Sequence, residues 1–164
     1  MPLIVRGPGV KGGVWCNEPV ISYDLTATVL DFVSPGFELP KGMEGGSWKA
    51  VLLSGGIGKV KRPVDRFIWH QATEFADPHS AIRKGDFKVI YYWKTRVTEL
   101  FNLAVDLRET RDLAKEKPEL AKELQHELLE HIRVGLGQQA FAVLEKGEFP
   151  EPRAGKGKVK RQAN

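Results

Sequence analysis

Ser80-Ala81-Ile82-Arg83-Lys84-Gly85-Asp86-Phe87-Lys88-Val89-Ile90-Tyr91-Tyr92-Trp93 holds two period-two runs that face each other across Gly85-Asp86. A glycine in a two-residue connection supplies the positive φ of a tight hairpin turn, so the stretch reads as two antiparallel strands. Residues 66–70 form a short candidate strand before it. Residues 97–101 form another after a tight return through Lys94 to Arg96, which gives an antiparallel sheet of three or four strands. Downstream, Pro118 stands where the first turn of a helix tolerates proline, and Leu120, Leu124, Leu128, Ile132 and Leu136 recur every fourth residue among acids and lysines. Gly135 and Gly137 close that amphipathic helix, whose apolar stripe is expected to cover one face of the sheet.

Upstream the pattern differs. Residues 3–5 (Leu3, Ile4, Val5) are a continuous apolar run closed by Gly7-Pro8-Gly9, the appearance of a strand buried on both faces of a parallel sheet. Such a strand needs neighbours and crossover helices, and none precede it in these residues. Residues 18–22 suggest a second extended piece leading into a helix that starts at Ser22 or Asp24, either of which is a good N-cap. Leu25, Val29, Phe32 and Val33 follow at helical spacing, and Ser34-Pro35-Gly36 ends the segment. From Phe37 to Arg66 the chain is rich in glycine with little periodicity beyond a helical turn at residues 47–53, and reads as a connection between two structural units.

The composition is that of a globular chain: 41% hydrophobic and 28% charged residues exclude disorder along its whole length. No apolar run is long enough to span a bilayer, and no secretory leader pattern is visible, so the compartment stays open. The net charge of +4 is local. Arg153, Lys156, Lys158, Lys160 and Arg161 account for it and leave about −1 for residues 1–152, so the folded body offers no basic surface for nucleic acid. Residues beyond 147 read as a flexible basic tail without the interleaved aromatics that stack on bases.

The sequence carries no catalytic constellation of its own: no HExxH, no phosphate-binding glycine loop, no nucleophile in a signature context. Cys16, the one cysteine, has no neighbouring base or cation to lower its pKa and excludes a disulfide framework or multi-cysteine metal site. The candidate substrate-binding residues are isolated. His70 follows an aromatic strand, Arg83 and Lys84 are the cations beside the hairpin turn, and His79 is a weaker candidate; each also fits an ordinary structural or solvated role.

The order of segments nevertheless resembles one family. Pro2-Leu3-Ile4-Val5-Arg6-Gly7-Pro8-Gly9-Val10, the run from Pro19 to Asp31, Ser80-Ala81-Ile82-Arg83-Lys84-Gly85-Asp86-Phe87-Lys88-Val89-Ile90, Glu99-Leu100-Phe101-Asn102-Leu103, then Asp106, Glu109, Asp112-Leu113-Ala114 and the long helix are similar, as an ordered set over residues 2–136, to the C-terminal third of an arylsulfatase-type sulfatase. The resemblance implies an α/β, alkaline-phosphatase-like fragment. Residues 1–36 would be the last strand and helix of the main sheet domain, 37–65 a connecting segment, 66–137 a small α+β subdomain with an antiparallel sheet packed by one long helix, and 138–164 the tail.

In that family a CxPSR cysteine becomes formylglycine, whose hydrate attacks the sulfate ester while a carboxylate-bound calcium ion orients the sulfate. Cys16-Asn17-Glu18-Pro19-Val20 does not match that motif, and the resemblance puts the nucleophile and the calcium carboxylates upstream of residue 1. The expectation is therefore part of a sulfuric ester hydrolase for a sulfated small molecule or glycan, inactive alone, with no catalytic residue and no metal ligand here; the alternative is a non-catalytic module that binds sulfated polysaccharide through Arg83, Lys84 and the tail. A further expectation is that Met1 is an internal codon, since a valine precedes this segment in such sulfatases and a bacterial GTG valine codon is easily read as a start.

Overall fold

The computed structural model describes residues 3–72 and 77–149, in two compact units that divide at Asp65 and Arg66. The expected tail lies outside the described residues from 150 onward.

The second unit is built on a four-stranded antiparallel sheet in simple order, β1 (Phe67–Gln71), β2 (His79–Lys84), β3 (Phe87–Tyr92) and β4 (Thr98–Asn102). Lys84 pairs with Phe87 across Gly85-Asp86, and Gly85 takes φ +58°, the first-position positive φ of a II′ turn whose twist matches the strands it joins. Helix α3 (Pro118–Leu136) buries Ala121, Leu124, Leu128 and Ile132 against Ile82, Val89 and Leu100, each fully buried or nearly so. This is the core that the fourfold leucine spacing predicts.

The chain stays ordered past Gly137, where the tail is expected to start. That glycine, at φ +80°, both ends α3 and opens a helix α4 (Gln138–Glu145), whose Phe141 and Leu144 join the same core. Phe141 meets Trp93 edge-on with centroids 5.8 Å apart.

The first unit holds helix α1 (Ser22–Val33) and a short helix α2 (Lys49–Leu53). Residues 3–5 form no strand. Leu3 and Ile4 are 60% and 93% exposed, which corrects the expected buried parallel strand: among these residues there is no neighbouring strand to take its hydrogen bonds. The inner face of α1 is a second difference. It buries Asp24, Ala27 and Thr28, while Leu25, Val29, Phe32 and Val33, the apolar residues whose spacing predicts the helix, are 55%, 50%, 41% and 73% exposed.

Polar contacts do the joining instead. Asp24, fully buried, accepts from the Ile21 and Gly46 amides and from Nε and NH2 of Arg62, the shortest contact being 2.7 Å. Thr28 Oγ1 accepts the Trp48 amide, and Asp31 accepts from Ser47 Oγ (2.6 Å) and Lys49 Nζ. The stretch read as a plain connection is thus sewn to α1, with Trp48, Val51 and Val60 forming a small apolar cluster of their own.

Candidate functional site

Cross-strand register sorts the second unit's polar residues by face. Ile68, His70, Ser80, Ile82, Lys84, Val89 and Leu100 share the face that α3 covers; Phe67, Trp69, Gln71, His79, Arg83, Lys88, Tyr92 and Glu99 share the other.

His70 ends the α3-side row. Its Nδ1 lies 2.7 Å from Oγ of its cross-strand partner Ser80, which also accepts the Trp93 indole N–H at 2.8 Å. Ser80 is fully buried and its own proton needs an acceptor; Nδ1 is the one at hand, so the neutral ring carries its proton on Nε2. Partial burial lowers the His70 pKa below its ordinary 6.5, in keeping with a neutral ring. The ring also lines an open cavity of about 530 Å³ whose other walls include Ala72, Leu136, Val143 and Phe149.

A pH dependence follows. The unfolded chain protonates His70 at its ordinary value, whereas the folded chain resists until lower pH, so the stability this group contributes is present above about 6.5 and falls as pH drops toward the folded value. Urea midpoints at pH 7.5 and 5.5 should differ less in His70→Gln than in the parent chain. An equal difference in both would remove His70 from the account.

Lys84 lies four residues along β2 from Ser80, about 13 Å away at strand rise. Its Nζ binds Glu127 Oε2 of α3 at 2.8 Å, which raises its pKa, and Arg66 NH1 reaches the same carboxylate. Arg83 points to the opposite face, where its Nε donates to the Gly85 carbonyl at 3.1 Å. His79 Nδ1 donates to the Asp77 carbonyl. The predicted contacts His70, Arg83 and Lys84 therefore do not converge on one point.

Cys16 is exposed. Among the described residues no three His, Cys, Asp or Glu side chains converge as a metal site requires, and Asp24 is saturated by Arg62 and backbone amides. These residues do not fit a calcium centre. No helix among the described residues is long and apolar enough to cross a membrane.

The model of the N-sulphoglucosamine sulphohydrolase C-terminal family matches residues 1–134. The chain belongs to the sulfatase family, as a C-terminal portion. It is 28% identical over 134 residues to arylsulfatase K of Danio rerio and 27% over 135 residues to that of Mus musculus, covering 76% and 78% of this chain. It spans about a quarter of the length of these relatives, 24% in each case. Among solved structures, BT4656 in complex with its substrate D-glucosamine-2-N,6-O-disulfate is 28% identical with TM-score 0.50 over 73% of this chain and 24% of that one. BT1596, a 2-O GAG sulfatase, shares the fold at TM-score 0.56 and 23% identity, covering 83% and 30%. The alkaline-phosphatase-like assignment of this sulfatase portion stands on these likenesses.

Two features that bear on function escape a reading of the sequence. Ser80, which fixes the His70 tautomer, has no motif; only strand pairing brings it opposite. The sewing of α1 by its polar face is equally silent, although Asp24 was visible as a helix-start residue.

Proposed function

We propose that this chain is the C-terminal part of a sulfuric ester hydrolase acting on a sulfated small molecule or glycan, and that it is inactive without an α/β domain that supplies the formylglycine nucleophile and the calcium ion. The observation that carries the reading is the outward stripe of α1. Leu25, Val29, Phe32 and Val33 expose apolar surface on one helix face, Ile4 and Trp15 of the same unit are exposed as well, and surface of that kind marks a contact with further protein. The partial span of the relatives supports it. On this reading the second unit contributes to the rim of the substrate pocket, with the Nε2–H of His70 as a donor to substrate.

The isolated chain, given calcium and a chromogenic aryl sulfate, should show no turnover. Co-expression with the N-terminal three quarters of a sulfatase relative should recover activity, and Val29→Glu should abolish the recovery while leaving the chain's circular dichroism unchanged. Mutation-sensitive turnover by the chain alone would refute the proposal.

A further inference from the structure

Trp93 follows β3 directly and is buried in the core beneath α3 and α4. Its backbone amide donates to the Pro78 carbonyl at 2.9 Å, which fixes where the side chain departs. Three rings meet the indole edge-on, with centroids at 5.1 Å for Tyr91, 5.8 Å for Phe141 of α4 and 6.0 Å for His70. Such packing makes no demand on the indole N–H. The N–H nevertheless lies 2.8 Å from Oγ of Ser80, which is fully buried.

The direction of that bond is settled by chemistry, because an indole nitrogen donates and never accepts. Ser80 Oγ therefore accepts, and its own proton is turned away from Trp93 toward His70 Nδ1 at 2.7 Å. Without the indole the hydroxyl has a second setting, in which it turns round and accepts from a protonated Nδ1. With the indole in place, that setting points the hydroxyl proton at the indole N–H, donor against donor, inside a buried site. Protonation of the ring meets the same obstacle, since imidazolium also presents an N–H at Nδ1. The titratable neighbours do not supply the effect. Tyr91 on β3 is neutral, its pKa raised first by burial, and Glu148 after α4 lines the same cavity as His70, where a carboxylate favours the charged ring.

We infer that Trp93 is a positioning residue: its indole N–H locks the Ser80 hydroxyl as a donor, and through that hydroxyl holds His70 as a neutral ring with its proton on Nε2. The inference deepens the proposed function and rests on it for one thing, the use of that proton as a donor to substrate. The lock itself is a property of the folded chain. It gives a core tryptophan, remote from any substrate, control over which nitrogen of an open-lying imidazole carries the hydrogen.

The test is nitrogen NMR of the isotope-labelled full chain, with the two ring nitrogens of His70 followed through a pH titration. In the parent their shifts should lie far apart, with Nδ1 in the unprotonated range. Trp93→Phe keeps a ring in the core and removes the N–H; it should draw the two shifts together and raise the pH midpoint of the ring. On a Ser80→Ala background the same substitution should move neither shift, because the path runs through the hydroxyl. Phe141→Leu loosens the same packing, removes no hydrogen bond, and should leave both shifts in place. A protonated Nδ1 in the parent, unmoved shifts in a Trp93→Phe chain with parent-like circular dichroism, movement that persists on the Ser80→Ala background, or equal movement in Phe141→Leu would each overturn the inference. None of these readouts involves a substrate. The proposed function is read separately in the co-expressed enzyme, where parent-like KM in His70→Leu would take His70 away from the substrate and leave Trp93 its place behind the ring.

Discussion

Asp24→Ala is expected to unfold the first unit while the second stays folded. The carboxylate is fully buried, and it receives two backbone amides and two nitrogens of Arg62, whose side chain is only 9% exposed. Removing Asp24 takes the close carboxylate from the buried Arg62 guanidinium and leaves it the Glu18 carboxylate at 3.9 Å and the Pro19 carbonyl, at a cost of up to about 3–5 kcal/mol. The amides of Ile21 and Gly46 lose their acceptor at the same time. What remains is the small cluster of Trp48, Val51 and Val60 and the contacts of Thr28 and Asp31, so the loss is a large share of what holds this unit. Amide exchange read residue by residue should show protection collapsing around Ile21, Gly46 and Trp48 and surviving in Ile82 and Val89. Asp24→Asn, which keeps the shape and one acceptor oxygen, should fall between parent and alanine variants. Full protection of the first unit in Asp24→Ala would mean that Arg62's contacts with Glu18 and the Pro19 carbonyl are enough to hold it.

Leu128→Ala should be the second large loss, this time in the second unit. Leu128 is fully buried at the middle of α3 and sits among Ile82, Val89, Leu100, Leu124 and Ile132. Truncation removes three carbons from a packed core and leaves a cavity, which costs about 2–5 kcal/mol. The urea midpoint read by Trp93, which lies in the same core, should drop accordingly with little change in slope. Leu136→Ala offers the contrast: it continues the same fourfold spacing but is 43% exposed, and should cost well under half as much. A Leu128 loss no greater than that of Leu136 would move the core elsewhere.

The second unit was legible because its signals are local and agree with each other. Gly85 fixes the hairpin, period two fixes the faces, and Leu120, Leu124, Leu128 and Ile132 fix the helix side. The first unit was not. The spacing of Leu25, Val29, Phe32 and Val33 announces a helix correctly, but periodicity reports only that an apolar stripe exists, never what it faces. Residues 3–5 misled for a related reason: a buried parallel strand is defined by its neighbours, and apolar content alone does not make a ladder. Helix α4 was missed because Gln138, Gln139 and the glycine before them look like the end of structure, whereas Phe141 and Leu144 are a helical turn apart and reach the core.

The candidate site divides in the same way. His70 was singled out from its position after an aromatic strand, and its chemistry then came from Ser80 and Trp93, ten and twenty-three residues away. Arg83 and Lys84 are adjacent in sequence and were grouped for their charge. Strand alternation sends them to opposite faces, one toward Glu127 and the other toward the Trp69 side.

Helix α1 carries Asp24 inward and Leu25, Val29 and Val33 outward, which inverts the usual relation between a residue's chemistry and its freedom to vary. In most helices the oily positions are the conservative ones and the polar positions drift. Here drift at Asp24 or Thr28 removes the stitches that hold the glycine-rich loop, whereas a change at Leu25 or Val29 leaves this unit's own hydrogen bonds intact and is felt only by whatever lies against it. The history of substitutions along this one helix would therefore separate two selective pressures, folding on one side and company on the other.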